Sequence, residues 1–216
     1  ISYSSSYESS APSRLIMRNY IEKNGNLITP SETRCYIRND QTGDSCQNAA
    51  TFIIQANAGD TISMRGTKDH GDCCTIYTRQ DQYLNARKLE LPAAQVYDSS
   101  GTDNYDQGTK TISMDTETFV DSELFSFNSN QNGIKVSEDG WYKVYYTANF
   151  HSIYQGDRQA PLTYIRVNGQ TVPANELRST TYIRNDGDGD ENHNTASGLV
   201  QLEAGDTVQV RVEQEY

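Results

Sequence analysis

The densest chemistry in the sequence is the run Asp186-Gly187-Asp188-Gly189-Asp190-Glu191. Alternating carboxylates with glycine between them can wrap a hard cation such as Ca²⁺, which takes six to eight oxygen ligands. Asp186, Asp188, Asp190 and Glu191 are the candidate ligands, and His193 follows closely. As an EF-hand the run fails: its twelfth position is Ser197 rather than glutamate, and no helical pattern flanks it. The competing reading is a solvated acidic turn between two strands. The other histidines are His70 and His151. His-Glu-x-x-His, Gly-x-Ser-x-Gly and phosphate-cradling glycine loops are absent from the sequence. No catalytic residue is assigned, and the expectation is a protein that is not an enzyme.

Four cysteines are present: Cys35, Cys46, Cys73 and Cys74. Cys35 and Cys46 flank the polar stretch Asn39 to Ser45, which reads as a hairpin loop whose two arms a bridge would staple. The adjacent Cys73 and Cys74 can form a vicinal bridge, or one of them can reach elsewhere; four free thiols are the alternative. Bridges would imply an oxidising, extracellular setting. Aromatic residues cluster at Trp141, Tyr142, Tyr145 and Tyr146. Such residues stack on sugars, line a subunit axis or fill a core. Tyr145 falls on the polar face of its strand and is the candidate contact residue. Arg38-Asn39-Asp40 and Arg184-Asn185-Asp186 stand at strand ends. There Arg38 and Arg184 can bridge neighbouring subunits or pair with the local aspartate.

The elements that must position these residues are strands. Trp141 to Phe150 alternates, with Tyr142, Val144, Tyr146, Ala148 and Phe150 on one face and Lys143, Thr147 and Asn149 on the other, a period of two. Val208, Val210 and Val212 alternate with Gln209, Arg211 and Glu213. Ala58-Gly59-Asp60, Ala204-Gly205-Asp206 and Asp139-Gly140 read as turns. No stretch carries a sustained helical stripe. Short strands separated by turn residues predict antiparallel sandwiches.

An internal repeat organises them. Tyr36-Ile37-Arg38-Asn39-Asp40 recurs from Tyr182, and Ala58-Gly59-Asp60-Thr61 recurs from Ala204. Gly43-Asp44 recurs at Gly189-Asp190 and Arg65 at Arg211, and the offset is 146 residues each time. With small gaps, Ala11-Pro12 matches Ala160-Pro161 and Asn24-Gly25 matches Asn168-Gly169. The 216 residues then hold about one and a half units. Residues 1–90 form the back half of a first unit, 91–108 a polar linker, and 109–216 a second unit without its last strand. The segment Thr75 to Leu89 supplies that last strand in the first unit. The missing strands come from a longer tandem protein or from neighbouring chains.

Composition closes off other classes. With 18 Lys+Arg against 29 Asp+Glu the net charge is −11, which disfavours nucleic acid, whose phosphates select basic surfaces. No apolar run reaches the roughly 18 residues of a membrane helix. Because the chain starts at Ile1 rather than Met, it reads as a processed form or a fragment.

Five segments then follow one another in order: Phe125-x-Phe127, Asn132-Gly133-Ile134-x-Val136, Asp139-Gly140-Trp141-Tyr142-x-Val144, Ile165-x-Val167-Asn168-Gly169 and Val200-x-Leu202-x-Ala204-Gly205-Asp206-x-Val208. Across residues 111–213 the chain resembles the jelly-roll superfamily of tumour necrosis factor and the complement globular head, above all its virion-surface and appendage variants. The resemblance implies an all-β fold of tandem antiparallel jelly-roll β-sandwiches and self-association as a homotrimer or filament. It also implies binding or structural work at a virion surface or outside the cell. The leading expectation is a structural or adhesive surface protein, such as a virion decoration or fibre protein or a filament subunit. The alternative is a soluble recognition domain for a glycan or protein ligand, assisted by Ca²⁺. Tandem incomplete units depart from the single complete heads of the family.

Overall fold

Strands form where core residues alternate with polar ones, and every resolved register is antiparallel. The computed structural model describes residues 1–9, 13–39, 45–70, 75–78, 82–89, 92–101, 108–152, 158–172, 177–184 and 191–214. They divide into two units. Unit 1 is Ile1–Arg87 with Asn149–Gln159 and Tyr182–His193; unit 2 is Lys88–Ala148 with Ala160–Thr181 and Asn194–Tyr216.

Unit 1 contains β1 (Ser2–Ser9), β2 (Ser13–Lys23), β3 (Asn26–Leu27), β4 (Thr33–Asn39), β5 (Ser45–Thr51), β6 (Ile62–His70), β7 (Ile76–Thr78) and β8 (Tyr83–Asn85). In its first sheet β5 lies along one side of β1, and β7 and β8 lie along the other. In its second sheet β6 lies along one side of β2, with β3 and β4 along the other. Tyr7, Leu15, Met17, Cys35 and Ile37 pack between the two sheets, as do Tyr3, Ile21, Ala50 and Phe52. Ile62 and Met64, on the inward side of β6, join the second group.

Unit 2 opens with β9 (Ala94–Tyr97), β10 (Thr109–Thr111), β11 (Thr116–Val120), β12 (Phe125–Asn128), β13 (Gly133–Val136) and β14 (Gly140–His151). β15 (Arg158–Gln159) and β19 (Ile183–Arg184) pair within unit 1. β16 (Pro161–Val167), β17 (Gln170–Thr171), β18 (Arg178–Thr180), β20 (Glu191–Leu202) and β21 (Thr207–Gln214) complete the order. β16 runs along one side of β21, and β10 and β13 along the other. β17 and β18 pair with the far side of β16. β14 pairs with β20. Val136, Tyr146, Ile165, Leu202, Val210 and Val212 are buried here. The result is all-β and sandwich-like, as the alternation predicts.

Three local expectations need correction. Cys35 and Cys46 are bonded, with Cα atoms 5.8 Å apart, yet the stretch between them is no hairpin. β4 belongs to the sheet of β2 and β5 to the sheet of β1, so the connection arches from one sheet to the other. The bridge therefore ties the two layers of the sandwich together. Thr75 to Leu89 supplies two short strands, β7 and β8, rather than one, although both pair with β1. The stretch 91–108 is not linker throughout: Ala94–Tyr97 is β9, paired with β11. The polar stretch that marks the linker begins only at Tyr97, and β9 ends there with its Gln95 buried.

The repeat survives in three dimensions as one hydrogen-bond pattern built twice. Asn24-Gly25 and Asn168-Gly169 take positive φ at both positions (53° and 79°; 51° and 76°). Those dihedrals match the two-residue hairpin turn that suits the right-handed strand twist. In unit 1 the Asn24 side chain donates to Asp60 Oδ1 (2.6 Å) and accepts from Thr61 N (2.8 Å). In unit 2 Asn168 donates to Asp206 Oδ1 (2.6 Å) and accepts from Thr207 N (2.9 Å). The second oxygen of Asp60 caps its own turn through Asn57 N (2.8 Å), and that of Asp206 does so through Glu203 N (2.9 Å). Donors from the Asn57 backbone and the Asn24 side chain hold the Asp60 carboxyl below its usual pKa. The duplicated Ala-Gly-Asp-Thr letters are thus explained by a turn-to-turn clamp.

Two buried tyrosines repeat as well. The Tyr3 hydroxyl meets Thr33 Oγ1 (2.6 Å) and donates towards Ser31 O (2.9 Å) and Asn19 O (3.4 Å). The Tyr146 hydroxyl meets Thr163 Oγ1 (2.8 Å) and Thr163 O (3.0 Å). Asn19 pairs with Thr33 on the neighbouring strand, and Thr163 with Ser179, its counterpart 146 residues on. Tyr146 therefore stands where Tyr3 stands. Burial pushes the Tyr146 phenol up to about 12 and the Tyr3 phenol further. The unfolded value is about 10, so this stabilisation is complete below about pH 10. Above it the unfolded chain releases protons that the folded chain retains, and stability falls as pH rises through the folded values. The expected slope is about 1.4 kcal/mol per pH unit for each phenol. Denaturation midpoints measured from pH 9 to 12 check this, and a flat profile would contradict it.

Candidate functional site

The acidic run that leads the sequence reaches the described structure only at its last member. Asp186, Asp188 and Asp190 lie outside the described residues. Glu191 opens β20, and its carboxylate is bound by the Arg34 guanidinium on β4. Arg34 Nε also donates to Glu32 Oε1 at 2.6 Å. Arg18 on β2 donates to Asp69 Oδ2 (2.5 Å) and lies 3.5 Å from Glu32. His151 Nδ1 comes within 3.8 Å of Glu191 Oε1. All these residues belong to unit 1. β2 and β4 are neighbours in register, with Arg18 opposite Arg34. Two like charges facing each other need carboxylates between them, and Glu32, Asp69 and Glu191 supply those.

Burial alone would lower the Arg34 pKa, but the hydrogen bonds to Glu191 and Glu32 outweigh it and raise it. Its charge is therefore fixed. His193 Nδ1 lies 2.8 Å from the Arg34 carbonyl, so that nitrogen carries the proton and donates. Burial lowers the His193 pKa despite this bond, which keeps the ring neutral at pH 7. Asn149 adds a bond to the Glu32 carbonyl at 2.9 Å. The chemistry of the group is charge pairing. Its carboxylates face guanidinium groups.

The remaining candidates scatter. Among the described residues no group of three or more His, Cys, Asp or Glu side chains is arranged to hold a metal ion. Arg38 is the penultimate residue of β4, and Arg184 ends β19 with its backbone paired to Arg158; both side chains lie outside the described residues. Cys73 and Cys74 also lie outside the described residues. Tyr145 is half-buried rather than open, and burial pushes its phenol up to about 12. Of the four aromatic residues Trp141, Tyr142, Tyr145 and Tyr146, Trp141 is the exposed one, at 68% near the start of β14. Leu199 on β20, the strand paired with β14, is 61% exposed.

The charged group was hidden from sequence reasoning because Arg34 and Glu191 are 157 residues apart. The signal that could have found it is the repeat. Position 191 lies 146 residues after Ser45, where the second copy of the repeat has a carboxylate instead of a hydroxyl. No protein-family model matches the chain, and no curated protein does. Among the described residues no helix is long and apolar enough to cross a membrane.

Proposed function

We propose that the chain is a non-enzymatic structural module of an extracellular or virion-surface assembly, built from tandem units of the jelly-roll kind. The observation that carries this reading is how the distinctive polar residues are used. The repeated Asn, Asp and Thr side chains clamp turns and tie strands together in both units. In unit 1, Arg18, Glu32, Arg34 and Glu191 pair with one another. Side chains spent in this way serve architecture, and a duplicated architecture suits a protein whose work is to be built into something larger. The Cys35–Cys46 bridge fits an oxidising compartment.

Electron microscopy of the native material, with the intact chain mass taken on the same sample, tests the reading. A filament or a decorated particle is the expected result. A discrete monomer or trimer with the mass of 216 residues would overturn it in favour of a free recognition domain. Millimolar Ca²⁺ would then be the first addition to the melting experiment, since a ligand of the native state raises its stability.

A further inference from the structure

The two units share much of their pairing pattern and differ at two edges. β21 takes up β10 and β13 on the side away from β16, whereas its counterpart β6 pairs, among the described residues, with β2 alone; the other edge is that of β1 and β14. β1 in unit 1 is a central strand. β5 pairs with one side of it, and on the other side Asn85, Leu84 and Tyr83 of β8 pair with Ser2, Tyr3 and Ser4. β14 occupies the corresponding place in unit 2. It pairs with β20, the counterpart of β5 in the repeat. The Thr195 hydroxyl donates to the Tyr146 carbonyl at 2.9 Å, which fixes that side of β14. Among the described residues no strand pairs with the other side. Since Tyr146 replaces Tyr3, the open stretch Tyr145–Thr147 matches Ser2–Ser4, the residues that β8 covers in unit 1.

An open edge is a row of unsatisfied backbone donors and acceptors, and proteins blunt such edges with lysines, prolines, bulges or very short strands. β14 is twelve residues long with no proline, and Lys143 is its only lysine. We propose that the edge of β14 at Tyr145–Thr147 is an acceptor site for an added antiparallel strand. Its occupant is the counterpart of β8, an extended segment with the residue pattern of Tyr83–Asn85, carried by a further unit of this repeat. Unit 1 identifies the occupant, because the same place there is filled by that segment. The bonds would be main-chain bonds, as in strand addition generally, with alternate side chains setting the specificity. The assembly reading above bears only on where the donor comes from.

The repeat makes the test simple to build. Tyr216 corresponds to His70 at the 146-residue offset. A copy of residues 71–89 joined after Tyr216 therefore continues the chain in register. The added copy carries Cys73→Ser and Cys74→Ser to avoid new thiols. Hydrogen exchange is read at the amides of Lys143 to Thr147. Slowing by about tenfold or more at alternate amides is expected relative to the original chain. A scrambled extension of the same composition should leave them unchanged. Equal slowing by the scrambled extension, or no slowing by the matched one, would overturn the proposal. So would amides in the original dilute chain that are already as protected as those of Ser2 to Ser4, since the edge would then be covered. A free peptide of residues 75–89 should reproduce the effect in trans with a saturating dose response. All of this is read on the isolated chain, so its failure is separable from the outcome of microscopy.

Discussion

Replacing both Cys35 and Cys46 with alanine is expected to destabilise unit 1 by about 3 kcal/mol. The two cysteines are 11 residues apart. Closing a loop of that size in the unfolded chain removes roughly this much in the chain-entropy account. The arch adds to the effect. Cys35 is 2% exposed and packs with Tyr7, Leu15, Met17 and Ile37, so its loss removes sulfur from the space between the sheets as well as the covalent tie. For a unit near 100 residues, 3 kcal/mol corresponds to a melting point lower by about 12–24 °C. Differential scanning calorimetry with and without reductant measures it. A double variant that melts with the parent would show that the bridge contributes nothing to the native balance.

The arch also marks the limit of what the residues disclose. Two alternating stretches around a polar loop look the same whether the strands pair with each other or with different partners. Choosing between hairpin and arch requires knowing that β1 and β2 take up β5 and β4 respectively. Those partners are set by the core, not by the loop. The repeat was readable because the asparagine–aspartate clamp needs particular side chains, so its chemistry left the same letters twice. β1 was not readable as a core strand. Ser4, Ser5 and Ser9 are buried beside Tyr3 and Tyr7, in a serine-rich run that composition assigns to the surface. Alternation along one strand likewise does not show what covers its other face, and Tyr145 is half-buried there.

The second large effect is expected at a buried asparagine present in both units. Asn48 on β5 sends Nδ2 to the Met17 carbonyl (3.1 Å) and to Asn19 Oδ1 (2.8 Å) on β2. Asn19 in turn donates to the Tyr7 hydroxyl at 2.7 Å. Asn194 on β20 sends Nδ2 to the Pro161 carbonyl (2.7 Å) on β16 and the Ser179 carbonyl (3.1 Å) on β18. Both asparagines have no exposed surface, and each joins one sheet of its unit to the other. Their positions are 146 residues apart, so the tie belongs to the repeated plan. Asn194→Ala leaves the Pro161 carbonyl without this donor and the Ser179 carbonyl with the Thr163 hydroxyl (3.1 Å) in its place. At about 1–3 kcal/mol for an unsatisfied buried group, the loss should be about 2 kcal/mol, comparable with that of the disulfide. Volume alone cannot explain such a loss if Asn194→Asp behaves as this geometry requires. The aspartate is the same size, but its charged oxygens would face two carbonyl oxygens with no donor between them. Burial and those acceptors would raise its pKa above the unfolded value. The Asn194→Asp variant should therefore be most defective at neutral pH and recover as pH falls and a proton restores a donor, while the parent shows no such recovery. Urea midpoints between pH 4 and 8 read the difference. If Asn194→Asp matches the parent at pH 7, the inter-sheet hydrogen bonds are not what holds this place in the fold.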